Sequence, residues 1–325
     1  MMLNRRQVNL GLASLPMLAH RAARAEPEYP NRPVRLVVPY DAGGGVDAAA
    51  RPLARALSEG WGQPVIVDNK PGADSIIGTG EVARAKPDGY TILLGILSIV
   101  QNPHLRAKMP FDTLADLAPV VQVSTEPLYL VVTKTLGVTT PAEFIDLARR
   151  KPGKLSFGSW GNASTGHLLL NSLQRKAQVD ITHVPFKGMG VAVQTMIAGD
   201  LDSAMVPYAI ARIGLETGKI VVIGAAGPTR SPVLPQVPTL EESGLQGFSR
   251  AQWMGLFAPA KTPKSIVDKI AKDVTAALSN PALVSWLAQG GASPAGGTPE
   301  AFAHIVRQDS EYYRELIKAA NLRLE

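Results

Sequence analysis

The sequence holds few residue types at spacings that could perform catalysis. Its five histidines are His20, His104, His167, His183 and His304, and no two stand at the i, i+4 separation that sets two imidazoles on one metal. Those beyond residue 25 read as structural imidazoles with hydrogen-bond partners. Gly158-Ser159-Trp160-Gly161 comes near a nucleophile elbow, but Phe157 occupies the place of the first glycine in G-x-S-x-G. Gly43–Gly45 does not fit G-x-G-x-x-G, and no G-x-x-x-x-G-K-[ST] occurs. The absence of cysteine removes disulfides, thiolate metal sites and a cysteine-borne lipid anchor. These residues point away from an enzyme and imply no cofactor.

Two segments suit binding instead. Pro39-Tyr40-Asp41-Ala42-Gly43-Gly44-Gly45-Val46-Asp47 is a junction of strand, glycine loop and helix. Backbone N–H groups at a helix N-terminus attract anions without a lysine, and glycine lets a ligand approach the backbone closely. The same segment also reads as a plain connecting turn. Ser159-Trp160-Gly161-Asn162-Ala163-Ser164-Thr165-Gly166-His167 is a second such junction, rich in hydroxyls, which alone could be a helix cap.

The elements that position these loops alternate. Apolar runs predict strands at 34–38, 65–67, 91–94, 128–132, 155–157, 181–184, 203–206, 220–223 and 256–258. Helical patterns lie between them, at 76–85, 142–150, 166–176 and 191–198, and then at 263–279, 281–289 and 299–320. Asp47 is positioned to cap a helix after the glycine loop, with Pro52 distorting its first turns. Such alternation predicts an α/β fold with parallel strands. The length suggests two domains, one near 26–125 completed by 251–325 and the other near 126–250. Two crossings between domains would make a hinged cleft, the usual place for a ligand.

The N-terminus reads as a targeting segment over residues 1–25. Arg5-Arg6 is a twin-arginine pair, the apolar run Val8–Ala19 is shorter than the about 20 residues needed to span a bilayer, and Ala23-Arg24-Ala25 is a cleavage-site pattern. Twin-arginine and general secretory export both stay open. Four of the 33 basic residues lie in this segment, which leaves 29 against 27 acidic residues and a net charge of +2 rather than +6. No clustered basic face remains to meet nucleic acid. The expected product is periplasmic, cleaved after Ala25.

In order along the chain come Pro33-Val34-Arg35-Leu36-Val37-Val38-Pro39-Tyr40, Gly62-Gln63-Pro64-Val65, Asp68-Asn69-Lys70-Pro71-Gly72-Ala73 and Lys86-Pro87-Asp88-Gly89-Tyr90-Thr91. Lys151-Pro152-Gly153-Lys154-Leu155, His183-Val184-Pro185-Phe186-Lys187-Gly188, Leu234-Pro235-Gln236-Val237-Pro238-Thr239 and Trp253-Met254-Gly255-Leu256-Phe257-Ala258-Pro259-Ala260 follow. This ordered set, spanning nearly the whole chain after residue 25, resembles the Bug (Bordetella uptake gene) or TctC-like receptors of tripartite tricarboxylate transporters.

The resemblance implies a two-domain periplasmic binding protein fold of the type II kind: α/β, with parallel-rich sheets, a hinge and an interdomain ligand cleft. It implies a small organic acid, aromatic or dicarboxylic, captured by domain closure and passed to membrane permease subunits, with the receptor a monomer. It places one ligand carboxylate on the loop of Tyr40, Ala42, Gly43, Gly44 and Asp47. Further hydrogen bonds are assigned to Ser98, Ser159, Ser164 and Thr165, with Trp160 and Gly161 in the same loop as Ser159. Lys187 lies in a family motif and reads as structural. Where many relatives carry an Asp-Asn pair, this chain has Val206-Pro207-Tyr208. That change leaves a ligand amino group without a carboxylate and, with the bulk of Trp160, favours an apolar ligand body. A secreted α/β enzyme acting on a carboxylate, and a sensor serving a signalling partner, are the alternatives.

Overall fold

Val34–Val38 forms strand β1, and its alternation shows how the fold is built. Val34, Leu36 and Val38 face one core, while Val37 faces another on the opposite side of the sheet. A strand buried on both faces reads as a continuous apolar run, as this one does. The computed structural model describes residues 29–324. The targeting segment 1–25 and the expected cleavage after Ala25 lie outside the described residues.

Helix α1 (Gly45–Trp61) covers one face of β1 with Ala50, Leu53, Ala54 and Leu57. It runs through Pro52 without interruption. Strands β2 (Val65–Asn69) and β3 (Thr91–Ile96) pair parallel to β1 on either side, with helix α2 (Ile76–Ala83) between them in sequence. Helix α3 (Ser98–Leu105), the short α4 (Thr113–Asp116) and strand β4 (Leu117–Glu126) follow. The sequence pattern does not predict α3 or β4: Pro103 interrupts the first, and Pro119, Gln122 and Ser124 break the apolar run of the second.

At Pro127 the chain passes into a second sheet. Strand β5 (Leu128–Thr133) lies with β6 (Ser156–Ser159), β7 (Thr182–Pro185), β8 (Ser203–Val206) and β9 (Ile220–Ala226) in the order β7-β6-β8-β5-β9. Leu128, Leu130 and Val132 pack toward α5 (Pro141–Arg150) and α6 (Thr165–Ala177). Tyr129 and Val131 pack toward α7 (Met189–Ala198) and α8 (Tyr208–Glu216). Helix α5 starts on a capping box: the Thr140 hydroxyl accepts from Glu143 N, and the Glu143 carboxylate accepts from Thr140 N.

Strands β10 (Gln252–Pro259) and β11 (Ser293–Gly296) return to the first sheet, whose order is β11-β4-β10-β3-β1-β2. Helices α9 (Lys264–Ala277) and α10 (Pro281–Gly290) lie between them in sequence, and α11 (Pro299–Ala320) ends the fold. Among the described residues, the parallel pairings are β1 with β2 and β3, and β6 with β7 and β8. Every antiparallel pairing includes β4, β5 or β10, the strands that abut a passage between sheets. Such strands arrive without a helical crossover and need not run parallel.

Helix α11 ties the first sheet to its surroundings. Trp253 Nε1 donates to Asp309 Oδ2 at 2.7 Å, and Arg250 pairs with the other carboxylate oxygen at 3.3 Å. Phe302 and Val306 share a core with Ala163 and Leu168 from the second sheet's side. A methyl group at Gly255 of β10 would overlap the Phe302 ring. Gly255→Ala should therefore cost about 1–3 kcal/mol through overpacking, seen as a lower urea midpoint at unchanged m value. An unchanged midpoint would show that α11 does not sit this closely on the sheet.

Candidate ligand-binding cleft

Between the sheets lie three adjoining cavities of about 440, 590 and 380 Å³. Gln252, the first residue of β10, lines all three, and its backbone pairs with Glu126, the last residue of β4. The two passages of the chain between sheets thus form the floor of one cleft. Tyr40 and Trp160 border the first two cavities, and Gly45 and Pro207 border the last two.

On the first sheet's side, β1 delivers the chain to the glycine loop. Gly43 has φ +82°, which a side chain would strain, whereas Gly44 is extended at φ −73° and acts as the N-cap of α1. Asp47 is not that cap. It is buried in the first turn, where its carboxylate accepts from Gly43 N at 2.8 Å and from two nitrogens of Arg51 at 2.9 Å. The Gly43 amide, followed by Arg51, holds this carboxyl below the usual range despite burial. The loop therefore carries its own anion at Gly43. Gly44 N turns to Asp41 O at 3.2 Å, and Ala42 is exposed outside the cavities. The backbone that reaches the cleft is one residue later, at Gly45, whose amide heads the helix with no intrahelical acceptor. Tyr40 OH and Ser98 Oγ lie 2.6 Å apart, and burial pushes the phenol up to about 12.

On the second sheet's side, three donors converge on the Gly161 carbonyl. They are Ser159 Oγ at 2.9 Å, Ser164 Oγ at 2.7 Å and Ser164 N at 3.3 Å. Ser164 caps α6 by accepting from His167 N. Ser159 is fully buried and meets His183 Nε2 at 2.7 Å. His183 stacks on His167 at 3.7 Å between centroids, and His167 Nδ1 accepts from Ala163 N. Burial, then the neighbouring His167, lowers His183 to about 4, so this pair is neutral under ordinary conditions. The hydroxyls of Ser159 and Ser164 thus build the loop, while Asn162 and the first amides of α6 remain toward the cleft.

Thr165 Oγ1 bonds Gln101 Nε2 of α3 at 2.9 Å, a buried contact from one sheet's side to the other's. Trp160 faces the cleft, its indole seated on Gly166, where a Cβ would stand 2.8 Å from the ring. Pro207 caps α8 at the cleft wall, and Tyr208 packs behind it against Gly291 at the end of α10.

Among the described residues, five helices begin at this cleft. Gly45, Ser98 and Thr165 line it directly, as do Met189 and the α8 cap Pro207. Each N-terminus carries roughly half a positive charge. Lys187, at the open mouth, is the one lysine or arginine among the described residues lining the three cavities. Two acids line them as well, Asp74 and Glu126. These acids stand apart in sequence from Val206-Pro207-Tyr208, where no carboxylate is present, so the cleft as a whole still has carboxylates to offer a ligand amino group. Loss of the family's acid at Val206 says nothing of acids arriving from the other sheet. Residue types alone also miss Gln101, Gln252 and Leu324. Gln252 carries a faint signal, immediately preceding the Trp253-Met254-Gly255 motif.

The sequence model for the tripartite tricarboxylate transporter family receptor matches residues 49–322. The chain belongs to this receptor family. A Pseudomonas sp. (strain P51) protein from the tcbD-tcbE intergenic region is 36% identical over 316 residues, covering 97% of this chain and 94% of that one. The R. palustris protein Rpa4515, solved with adipate, is 33% identical with a TM-score of 0.77, covering 91% of this chain and 99% of that one. The periplasmic binding protein BugD is 31% identical with a TM-score of 0.74, covering 91% and 100%. The fold is thus the two-domain periplasmic binding protein fold. The receptor is a periplasmic solute-binding protein and not an enzyme.

Asp47→Asn tests the internal anion of the glycine loop. A carboxyl held low in the native state stabilises it fully above the unfolded value of about 3.9, and the benefit fades as pH falls through the lowered native value. Urea unfolding should show wild type clearly more stable than the variant at about pH 7 and nearly equal to it at about pH 2. An equal gap at both would contradict the arrangement.

Proposed function

We propose that this receptor captures a small organic acid by closing two domains over it. The domains comprise residues 26–125 with 251–325, and residues 126–250. The convergence of helix N-termini from both sheets on one cleft carries this reading. Amide dipoles and hydrogen-bond donors suit a carboxylate, which accepts several bonds. Contacts from both sides favour the closed state through differential affinity. The adipate bound in Rpa4515 supports a carboxylate ligand.

The ligand has an aromatic or medium-chain body. Trp160 and Tyr40 offer apolar surface beside the donors, worth roughly 25 cal/mol per Å² before the costs of association. The closed receptor, a monomer, hands its solute to membrane permease subunits. Lys187 at the mouth attracts the anion and speeds its entry. Export ends with cleavage after Ala25, so mass spectrometry of the periplasmic protein should find Glu26 first; an intact Met1 would refute it.

Gly45 supplies the decisive variant. A Cβ there meets nothing within 4 Å, so a side chain at Gly45 has open space on the border of the cleft. By calorimetry Gly45→Val should weaken carboxylate binding by more than about tenfold, equal to about 1.4 kcal/mol, with thermal stability retained. Trp160→Ala should weaken aromatic carboxylates more than short aliphatic ones. Undiminished affinity in a folded Gly45→Val protein would remove the anion site from α1.

A further inference from the structure

We propose that the 380 Å³ cavity beneath Trp286 is a distal compartment for the far end of the bound carboxylate, and that Glu126 discriminates there against a second carboxylate. The proposal rests on the carboxylate-receptor reading above and assigns chemistry to a part of the cleft that reading leaves unused. The compartment joins the rest of the cleft through Gly45, Pro207 and Gln252, so a ligand anchored at the α1 amides has a path into it. Its walls are mainly apolar, with Val46 from α1, Ile210 from α8, Met254 from β10, and Trp286 and Leu287 from α10. An apolar chain or ring end buries its surface there.

Glu126 is the one ionisable side chain among the described lining residues. Its carboxyl has no hydrogen-bond or ion-pair partner among the described residues, and burial alone pushes it up to about 7. The charged groups on neighbouring elements are engaged elsewhere. Asp47 of α1 is held by Gly43 and Arg51, Arg250 before β10 pairs with Asp309, and Arg212 of α8 pairs with Glu216. Helix α10 carries no titratable residue, and Tyr129 of β5, which feels the Glu126 charge, is a phenol raised above its usual range. The His167–His183 pair lies behind the other wall and is lowered, to about 4 for His183.

Three kinds of ligand end then behave differently. An apolar end brings no charge to Glu126 and depends on its proton only through the cost of covering an ionised carboxyl, a weaker dependence than a charged end has. A carboxylate end meets like charge unless Glu126 takes up a proton and donates it in a carboxyl–carboxylate hydrogen bond. An ammonium end favours ionised Glu126 and releases a proton.

Calorimetry with butyrate, hexanoate and adipate on the purified receptor tests this. Hexanoate should bind more tightly than butyrate. Adipate affinity should fall more than about tenfold between about pH 6.0 and about pH 8.5, with proton uptake read from buffers of different ionisation heat, while hexanoate changes less than about threefold. Glu126→Gln should abolish the adipate slope, and Glu126→Asp should keep it. Adipate binding that is independent of pH in wild type, or a slope that survives Glu126→Gln, overturns the role of Glu126. Equal affinity for butyrate and hexanoate overturns the compartment. If none of the three acids binds wild type, this proposal fails, and the carboxylate reading fails with it only when an aromatic carboxylate such as benzoate does not bind either.

Discussion

On the proposed function, the arrangement of this receptor follows from one constraint: a carboxylate must leave water and be received by dipoles instead of by a paired cation. Backbone amides can do that only where they lack a helical acceptor, in the first turn of a helix. The fold meets this condition repeatedly. Parallel strands β1 and β6 each run toward the cleft and turn there into a helix, so α1 and α6 both start at it. The open ends of parallel strands are where α/β folds gather their ligand sites.

The loops at these turns are built to keep the amides in place. In the first, the Asp47 carboxylate ties Gly43 from inside the helix. In the second, Ser159 and Ser164 draw the Gly161 carbonyl inward, backed by the stacked His167 and His183. Each arrangement spends polar side chains on the backbone so that unspent amides face the ligand. The buried Gln101–Thr165 hydrogen bond shows the same economy between the two sheets, since Thr165 opens α6 and Gln101 lies in α3.

Much of this was legible in the sequence. The strand runs of β1, β5 and β8, the helix boundaries of α5 and α11, and the two junction loops all follow from local pattern and capping chemistry. The ordered motifs identified the family. What local pattern could not show is how side chains divide their bonds. Asp47, Ser159 and Ser164 are the right residue types in the right loops, yet their polar atoms turn to the backbone, a fact of three-dimensional placement. Pro119, Gln122 and Ser124 disguise strand β4 as irregular chain, and Glu126 at its end is hidden with it. Val206 and Pro207 speak only for their own place in the cleft, while Asp74 and Glu126 enter from segments distant in sequence.

The most direct test is a crystal structure of the receptor with a carboxylate bound. The account predicts carboxylate oxygens about 2.7–3.2 Å from the Gly45 amide on one side and from the Thr165 or Gly166 amide on the other, with Gln101 still bonded to Thr165. A carboxylate held by Lys187 alone, or seated away from both helix N-termini, would contradict it.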